Sequence, residues 1–156
     1  MSINVEYINP FLKAATSIIK DICQVDITVG KPYIKQAEFS SDSVVIMIGV
    51  TGEMRGQVMI ALSYEKSLEI ASKMMAGFNV TELDAMSLSA ISELGNMIMG
   101  NAATILSTKG IGIDITPPAI FRGNMTVSHA HTQNICIPLS GGDITIELDV
   151  AVKDAN

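Results

Sequence analysis

Glu93 and Asn96 stand three residues apart inside a long stretch of helical pattern, Thr81 to Gly110. Side chains at that spacing project as neighbours from one helix surface. A carboxylate accepts hydrogen bonds or an ion pair, whereas an amide both donates and accepts and can hold a water against a second group. Side by side they offer a polar patch against which another macromolecule could come close. Ser89 precedes it by one turn, and Gly100 follows as a notch through which another macromolecule could approach the helix backbone. By spacing alone, a solvated helix face carrying Glu and Asn reads the same way.

Other constellations carry less. His129 and His131 would face one side of a strand, but no Cys, Asp or Glu accompanies them at ligand spacing, so no metal site is expected there. Cys23 and Cys136 lie far apart without a CxxC pattern and read as reduced, structural thiols of a cytoplasmic protein. Gly110-Ile111-Gly112 lacks the Lys-Ser/Thr of a phosphate loop and reads as a helix stop. No Gly-x-Ser-x-Gly motif or hydrolase triad pattern is present. The ten methionines fall mostly on apolar stripes and read as core filler.

The helix that carries the pair has chemically marked ends. Thr81 is the expected N-cap, with Asp84 completing a capping box and Val80 and Ala85 as staple; Lys109 and Gly110 close the other end. Leu88, Ile91, Leu94, Ile98, Ala102, Ile105 and Leu106 form its apolar stripe. Glu82, Ser89, Glu93, Asn96, Gly100, Ala103 and Ser107 form the opposite face.

Around it, residues from about Glu6 to Cys23 predict a first helix, with Pro10 in its first turn. An extended VDITVGKPYI segment follows, then strands Ser43–Thr51 and Gln57–Ser63 joined by the GEMRG turn as a central hairpin. A helix over Tyr64–Ala76 ends at Gly77. After the long helix come GIDITPPAI, GNMTVSHA, NICIPLS and DITIELDVAVK, with a hairpin turn at Ser140–Asp143. This order predicts an α+β fold, a largely antiparallel sheet packed with one long central helix and two others, in one domain over residues 1–156. Both helix-then-strand stretches share AAT and DIT triplets, a Glu-x-x-Asn (Glu6/Asn9 and Glu93/Asn96) and a later proline, which suggests an internal pseudo-twofold repeat.

The totals exclude several classes. Hydrophobic residues at 48% and charged residues at 17%, without low-complexity tracts, describe a folded chain. A net charge of −6 with no Lys/Arg cluster argues against nucleic acid as partner. The start, MSINVEYINPF, lacks the basic-then-apolar pattern of a secretory signal. The uncharged run within the long helix, Leu94–Thr108, is shorter than the roughly 20 apolar residues of a spanning helix, so membrane insertion is not expected.

LSAISELGNMIMGN at Leu88–Asn101, with DITPP at Asp114–Pro118, resembles the CheC/CheX/FliY family of chemotaxis phosphatases. The family pattern places a Ser or Asp, then Glu, then Asn, then a proline just over twenty residues on; here those are Ser89, Glu93, Asn96 and Pro117–Pro118. The resemblance also covers Gly30-Lys31-Pro32, the IGVTGEMRGQVMIALS hairpin and the preceding helix, so it spans nearly the whole chain and is nearest to the CheX type. It implies hydrolysis of the aspartyl phosphate of a CheY-type response-regulator receiver. Asn96 would then orient the attacking water and Glu93 would dock on the receiver's lysine, with Ser89 and Gly100 in the docking surface. Pro117 and Pro118 would shape the turn. The divalent metal, Mg, would come with the receiver, and this chain would bind no cofactor of its own.

CheC-type members use two active copies and CheX-type members the central one. Ser2, Glu6 and Asn9 fit the spacing with Pro32 following, but Asn9 precedes Pro10, which biases it away from helical geometry, and Glu6 lies near the chain end. A non-catalytic receiver-binding adaptor using the same face is the alternative, and a structural flagellar-switch component is a weaker third. By analogy the chain is expected to form a homodimer through edge strands, which would cover an otherwise sticky edge.

Overall fold

The computed structural model describes residues 5–130 and 132–155. In chain order the elements are α1 (Val5–Cys23), β1 (Thr28–Val29), β2 (Tyr33–Ile34), β3 (Ala37–Phe39), β4 (Ser43–Gly52) and β5 (Met54–Ser63). Then follow α2 (Tyr64–Met74), α3 (Ala85–Thr108), β6 (Ile113–Ile115), β7 (Ala119–Arg122), β8 (Met125–Val127), β9 (Ile135–Gly141) and β10 (Ile144–Asp154). The fold is α+β, as the sequence predicts.

β10 pairs with β5 and β9, and β5 pairs in turn with β4, all antiparallel. The outer edges are broken strands. β1 and β2 both pair with β9, and β6 and β7 both pair with β4. Prolines cause each break: Pro32 separates β1 from β2, and Pro117 and Pro118 separate β6 from β7. Pro lacks the N–H a ladder needs, so the single GIDITPPAI strand of the sequence reading divides in two. Exchanging β1–β5 with β6–β10 maps every sheet partner onto another, and the β3–β8 pair onto itself.

All three helices cover one face of the sheet. Ile46, Ile48, Val58, Ile60, Leu148 and Val150 point into that core against Phe11, Ile70, Ile91, Leu94 and Ile98. β3, which the sequence reading did not place, pairs with β8 as a ribbon across the other face, where Ala37 and Phe39 pack on Val45, Met59 and Ala61. Residues of β4 and β5 are therefore buried on both sides, which is why VVIMIGV and QVMIALS do not alternate.

Local boundaries differ from expectation where tertiary partners intervene. The β4–β5 hairpin extends further than Thr51 and Gln57, because Gly52 pairs with β6, and Met54 and Arg55 pair with β10 beyond the last β4–β5 pair, Val50 with Gly56. Helix α2 ends at Met74, and Ala76 as well as Gly77 takes a positive φ. Helix α3 begins at Ala85, with Asp84 and not Thr81 as N-cap. The Asp84 carboxylate accepts the Ser87 N–H at 3.0 Å and the Ser87 hydroxyl at 2.8 Å. That buried hydroxyl is also 3.0 Å from the Glu82 carbonyl, holding residues 82–84 outside the helix. Pro10 lies inside α1 and not in its first described turn, so Asn9 is helical despite preceding a proline.

Candidate functional site

The stripe expected of α3 is the buried one. Ile91, Leu94, Ile98, Ala102 and Leu106 are fully buried, with Leu88 and Ile105 partly so. Ser87, Gly95 and Met99 join them. Gly95 faces the sheet: a Cβ there would lie 2.8 Å from Ile46 Cγ2 and 3.0 Å from Ile48 Cδ1, closer than side chains tolerate. The helix therefore touches β4 through bare backbone at the residue just before Asn96. Sequence reasoning passed over Gly95; its signal was a glycine in a helix interior, which costs about 1 kcal/mol relative to Ala unless a contact needs it.

Opposite that contact, Ser89, Glu93 and Asn96 are exposed, and Gly100 is half-buried with open space where a Cβ would be. Neither Glu93 nor Asn96 has a side-chain hydrogen-bond or ion-pair partner among the described residues. The two groups are presented, unsatisfied, on a helix held from behind. Two methionines depart from the core-filler reading. Met86 is 69% exposed and Met97 36% exposed, and helical period puts both on the Glu93 side.

Pro118 reaches the same helix–sheet crossing, 3.9 Å from the Gly95 Cβ position. Thr116 ties the proline break to β4: its hydroxyl accepts the Gly49 N–H at 2.8 Å, and its own N–H reaches the Gly49 carbonyl at 3.0 Å. Pro118 thus sits beneath α3, away from its outer face, and Pro117 is exposed at the break. At the other edge, the Gly30 N–H meets the Pro138 carbonyl at 2.7 Å, which fixes the Gly30-Lys31-Pro32 break to β9.

The N-terminal residues of the same pattern lie apart from this face. Glu6 and Asn9 are exposed on α1, one helical turn from each other, and Asn9 borders a 430 Å³ groove with Lys13, Val29 and Lys109. Ser2 lies outside the described residues, as does His131, while His129 is half-buried in the segment after β8. Cys23 and Cys136 are both free and buried.

The described cavities do not include Glu93 or Asn96 among their lining residues. Small-molecule sites are concave and bury most of their ligand. An exposed acid and amide on an outer helix face suit a macromolecular surface instead. Among the described residues no helix is long and apolar enough to cross a membrane.

Residues 44–140 match the family model described as chemotaxis phosphatase CheX. The chain is 35% identical over 116 residues to the CheY-P phosphatase CheX of Thermotoga maritima, covering 74% of this chain and 75% of that protein. Among solved structures, the CheC-like superfamily protein of Shewanella sp. PV-4 superposes with a TM-score of 0.84 at 30% identity, over 97% of this chain and 99% of the other. CheX from the CheX–CheY–BeF3–Mg²⁺ complex of Borrelia burgdorferi superposes with a TM-score of 0.79 at 34% identity, over 97% and 100% of the two chains.

Proposed function

The chain belongs to the CheX family, and on that premise we propose that it is a phosphatase hydrolysing the aspartyl phosphate of a CheY-type receiver domain. Supporting this are the relative named CheY-P phosphatase and the related CheX solved together with CheY. The observation that carries the mechanism is the pair Glu93 and Asn96, exposed and unpartnered on a helix clamped from behind at Gly95.

An acyl phosphate is an activated compound, so what a catalyst must add is placement of the nucleophile and charge complementarity. Asn96 accepts a hydrogen bond from the attacking water through its carbonyl oxygen and donates from its NH2 to the phosphoryl oxygens. Water adds to phosphorus as the bond to the aspartyl oxygen breaks, releasing inorganic phosphate and the receiver's free carboxylate. Glu93 pairs with the receiver's active-site lysine and fixes the approach. Ser89 and Gly100 belong to the docking surface, where the open space at Gly100 lets the receiver come near the helix. Mg²⁺ enters with the receiver. We extend the proposal to a single cytoplasmic domain that forms homodimers, in keeping with the two free thiols and with exposed Val29, Tyr33 and Ile34 on the β1–β2 edge.

The test is decay of a phosphorylated CheY-type receiver under catalytic amounts of wild type and Asn96→Ala. The expected result is repeated turnover by wild type and a loss of about 10²-fold or more in the variant, the scale of a mispositioned reactant. Equal rates would remove Asn96 from the mechanism, and binding without turnover by wild type would assign the adaptor role.

A further inference from the structure

A second polar cluster lies on the sheet face away from the helices and is not used by the phosphatase reading. The β9–β10 register sets Cys136 opposite Asp149, and Glu147, two residues before Asp149, shares that face of β10. Cys136 and Asp149 are fully buried, and the Glu147 side chain is 26% exposed. Cys136 Sγ and one oxygen from each carboxylate all lie within 4.8 Å of one another. Asn134, only 5% exposed, donates through Nδ2 to Asp149 Oδ2 at 3.1 Å. Lys35 Nζ is 3.1 Å from Glu147 Oε1.

The cluster has a shortage of one kind. Among the described residues, the buried side-chain polar atoms without a hydrogen-bond partner are Asn134 Oδ1, Glu147 Oε2, Asp149 Oδ1 and His129 Nε2. Three of these are oxygens of this cluster. The fourth lines, with Lys35 and Asn134, a 270 Å³ cavity beside it. Buried polar atoms are rarely left unsatisfied in a folded protein, so a group of them marks a place suited to a water or an ion. Oxygens converging beside a thiol lack a positive centre, and Lys35 is already committed to the other oxygen of Glu147.

We propose that Cys136, Glu147 and Asp149, with Asp149 held by the Asn134 amide, form a binding site for one borderline-soft divalent cation, with Zn²⁺ the best match and a water as fourth ligand. A thiolate with carboxylate oxygens suits Zn²⁺, whereas Mg²⁺ and Ca²⁺ prefer all-oxygen shells. The charges also balance. Three anionic ligands on a dication leave one negative charge, and Lys35 on Glu147 cancels it. Burial pushes the Cys136 thiol up to about 12 and, with Glu147 alongside, the Asp149 carboxyl up to about 7. The site ties β9 to β10 and to Asn134 at the end of the segment that leads from β8. It stands on the opposite side of the sheet from Glu93 and Asn96 and does not depend on the phosphatase reading.

The full chain, stripped with EDTA, is titrated with Co²⁺ and then Zn²⁺. The expected result is a thiolate-to-cobalt charge-transfer band that saturates at one equivalent and is displaced by Zn²⁺. Zn²⁺ raises the Tm, and Mg²⁺ at the same concentration does not. Cys136→Ser loses the band and weakens Zn²⁺ binding by about 100-fold or more, beyond the 10–100-fold ascribed to outer-shell partners, while Cys23→Ser keeps both. The wild-type spectrum serves as the readout even if a variant folds poorly. Absence of the band in wild type would overturn the proposal, as would a band that follows Cys23 or unchanged Zn²⁺ affinity in Cys136→Ser.

Discussion

Replacing Gly95 by Ala tests whether the α3–β4 contact sets the position of the Glu93/Asn96 pair. The added methyl would sit 2.8 Å from Ile46 Cγ2 and 3.0 Å from Ile48 Cδ1. Carbon atoms attract at about 3.5–4.0 Å, so the shorter contact falls short by roughly 0.7 Å. Ile48 Cδ1 ends a side chain and can swing aside. Ile46 Cγ2 is fixed to the branched Cβ of a fully buried strand residue, whose χ1 is stiff. The helix must therefore give, and it can only move outward. Overpacking of this kind costs about 1–3 kcal/mol, partly offset by the roughly 1 kcal/mol that Ala gains over Gly in a helix. The net loss of stability is expected to be about 0–2 kcal/mol, measured by denaturant unfolding. Activity should suffer more, because a displacement near 1 Å can cost about 10²-fold when geometry carries catalysis. With phosphorylated receiver as substrate, we expect kcat to fall at least about 10-fold while KM changes little, since the methyl faces the core and not the partner. A Gly95→Ala protein with wild-type kcat would refute the argument. If Asn96→Ala were inactive in the same assay, the phosphatase reading would survive and only the positioning role would fail.

Gly100→Ala should behave in the opposite way, because nothing lies within 4 Å of its Cβ position. The Tm should rise with the gain of up to about 1 kcal/mol in helix propensity, while KM for the receiver rises as the notch fills. Asn9→Ala is expected to leave the dephosphorylation rate within error of wild type, and a drop to half would establish a second working site on α1. Hydrogen bonds from the Ser87 backbone and side chain hold the Asp84 carboxyl below its usual value of 3.8. That group's contribution is present above the ordinary Asp range and is lost as pH falls through its lowered folded value. Asp84→Ala should therefore lower the Tm at pH 7, and the gap to wild type should close in acid; a gap independent of pH would remove the cap from the account.

The fold was largely legible because its periodicities are strong. The apolar stripe of α3, the doubly buried hairpin and the Ser140–Asp143 turn all follow from local pattern. What escaped depended on partners distant in sequence. β3 is a three-residue strand that exists through its pairing with β8. Thr81 satisfied the capping pattern, yet Asp84 caps the helix because Ser87 is buried and binds back to residues 82 and 84. The grouping of Cys136 with Glu147 and Asp149 is not visible along the chain, because the carboxylates arrive through strand register and not through ligand spacing. At the candidate site, the Glu93/Asn96 spacing was legible, but the reason it can be held in place was not, since Gly95 becomes informative only when Ile46 is seen behind it.

Comparing the two Glu-x-x-Asn helices shows which features the motif needs beyond its two side chains. Both pairs are exposed and helical, so neither spacing nor the proline after Asn9 separates them. The difference lies in the residues around them. At the place of Gly95, one residue before the Asn, α1 has Ile8, a bulky and buried side chain that keeps the helix backbone at ordinary packing distance from its neighbours. At the place of Gly100, four residues after the Asn, α1 has Lys13, exposed on the border of the groove beside Asn9. A long cation there covers the helix where α3 leaves it open, and would oppose the receiver lysine of the proposed mechanism. Two interior glycines together cost α3 about 2 kcal/mol of helix propensity. Such a cost persists where contacts require it: Gly95 against the sheet on the inner face, and, in the proposed mechanism, Gly100 toward the receiver on the outer face. On this argument α1 carries the same residue types without the means to position or uncover them, and the proposed chemistry is expected on α3 alone.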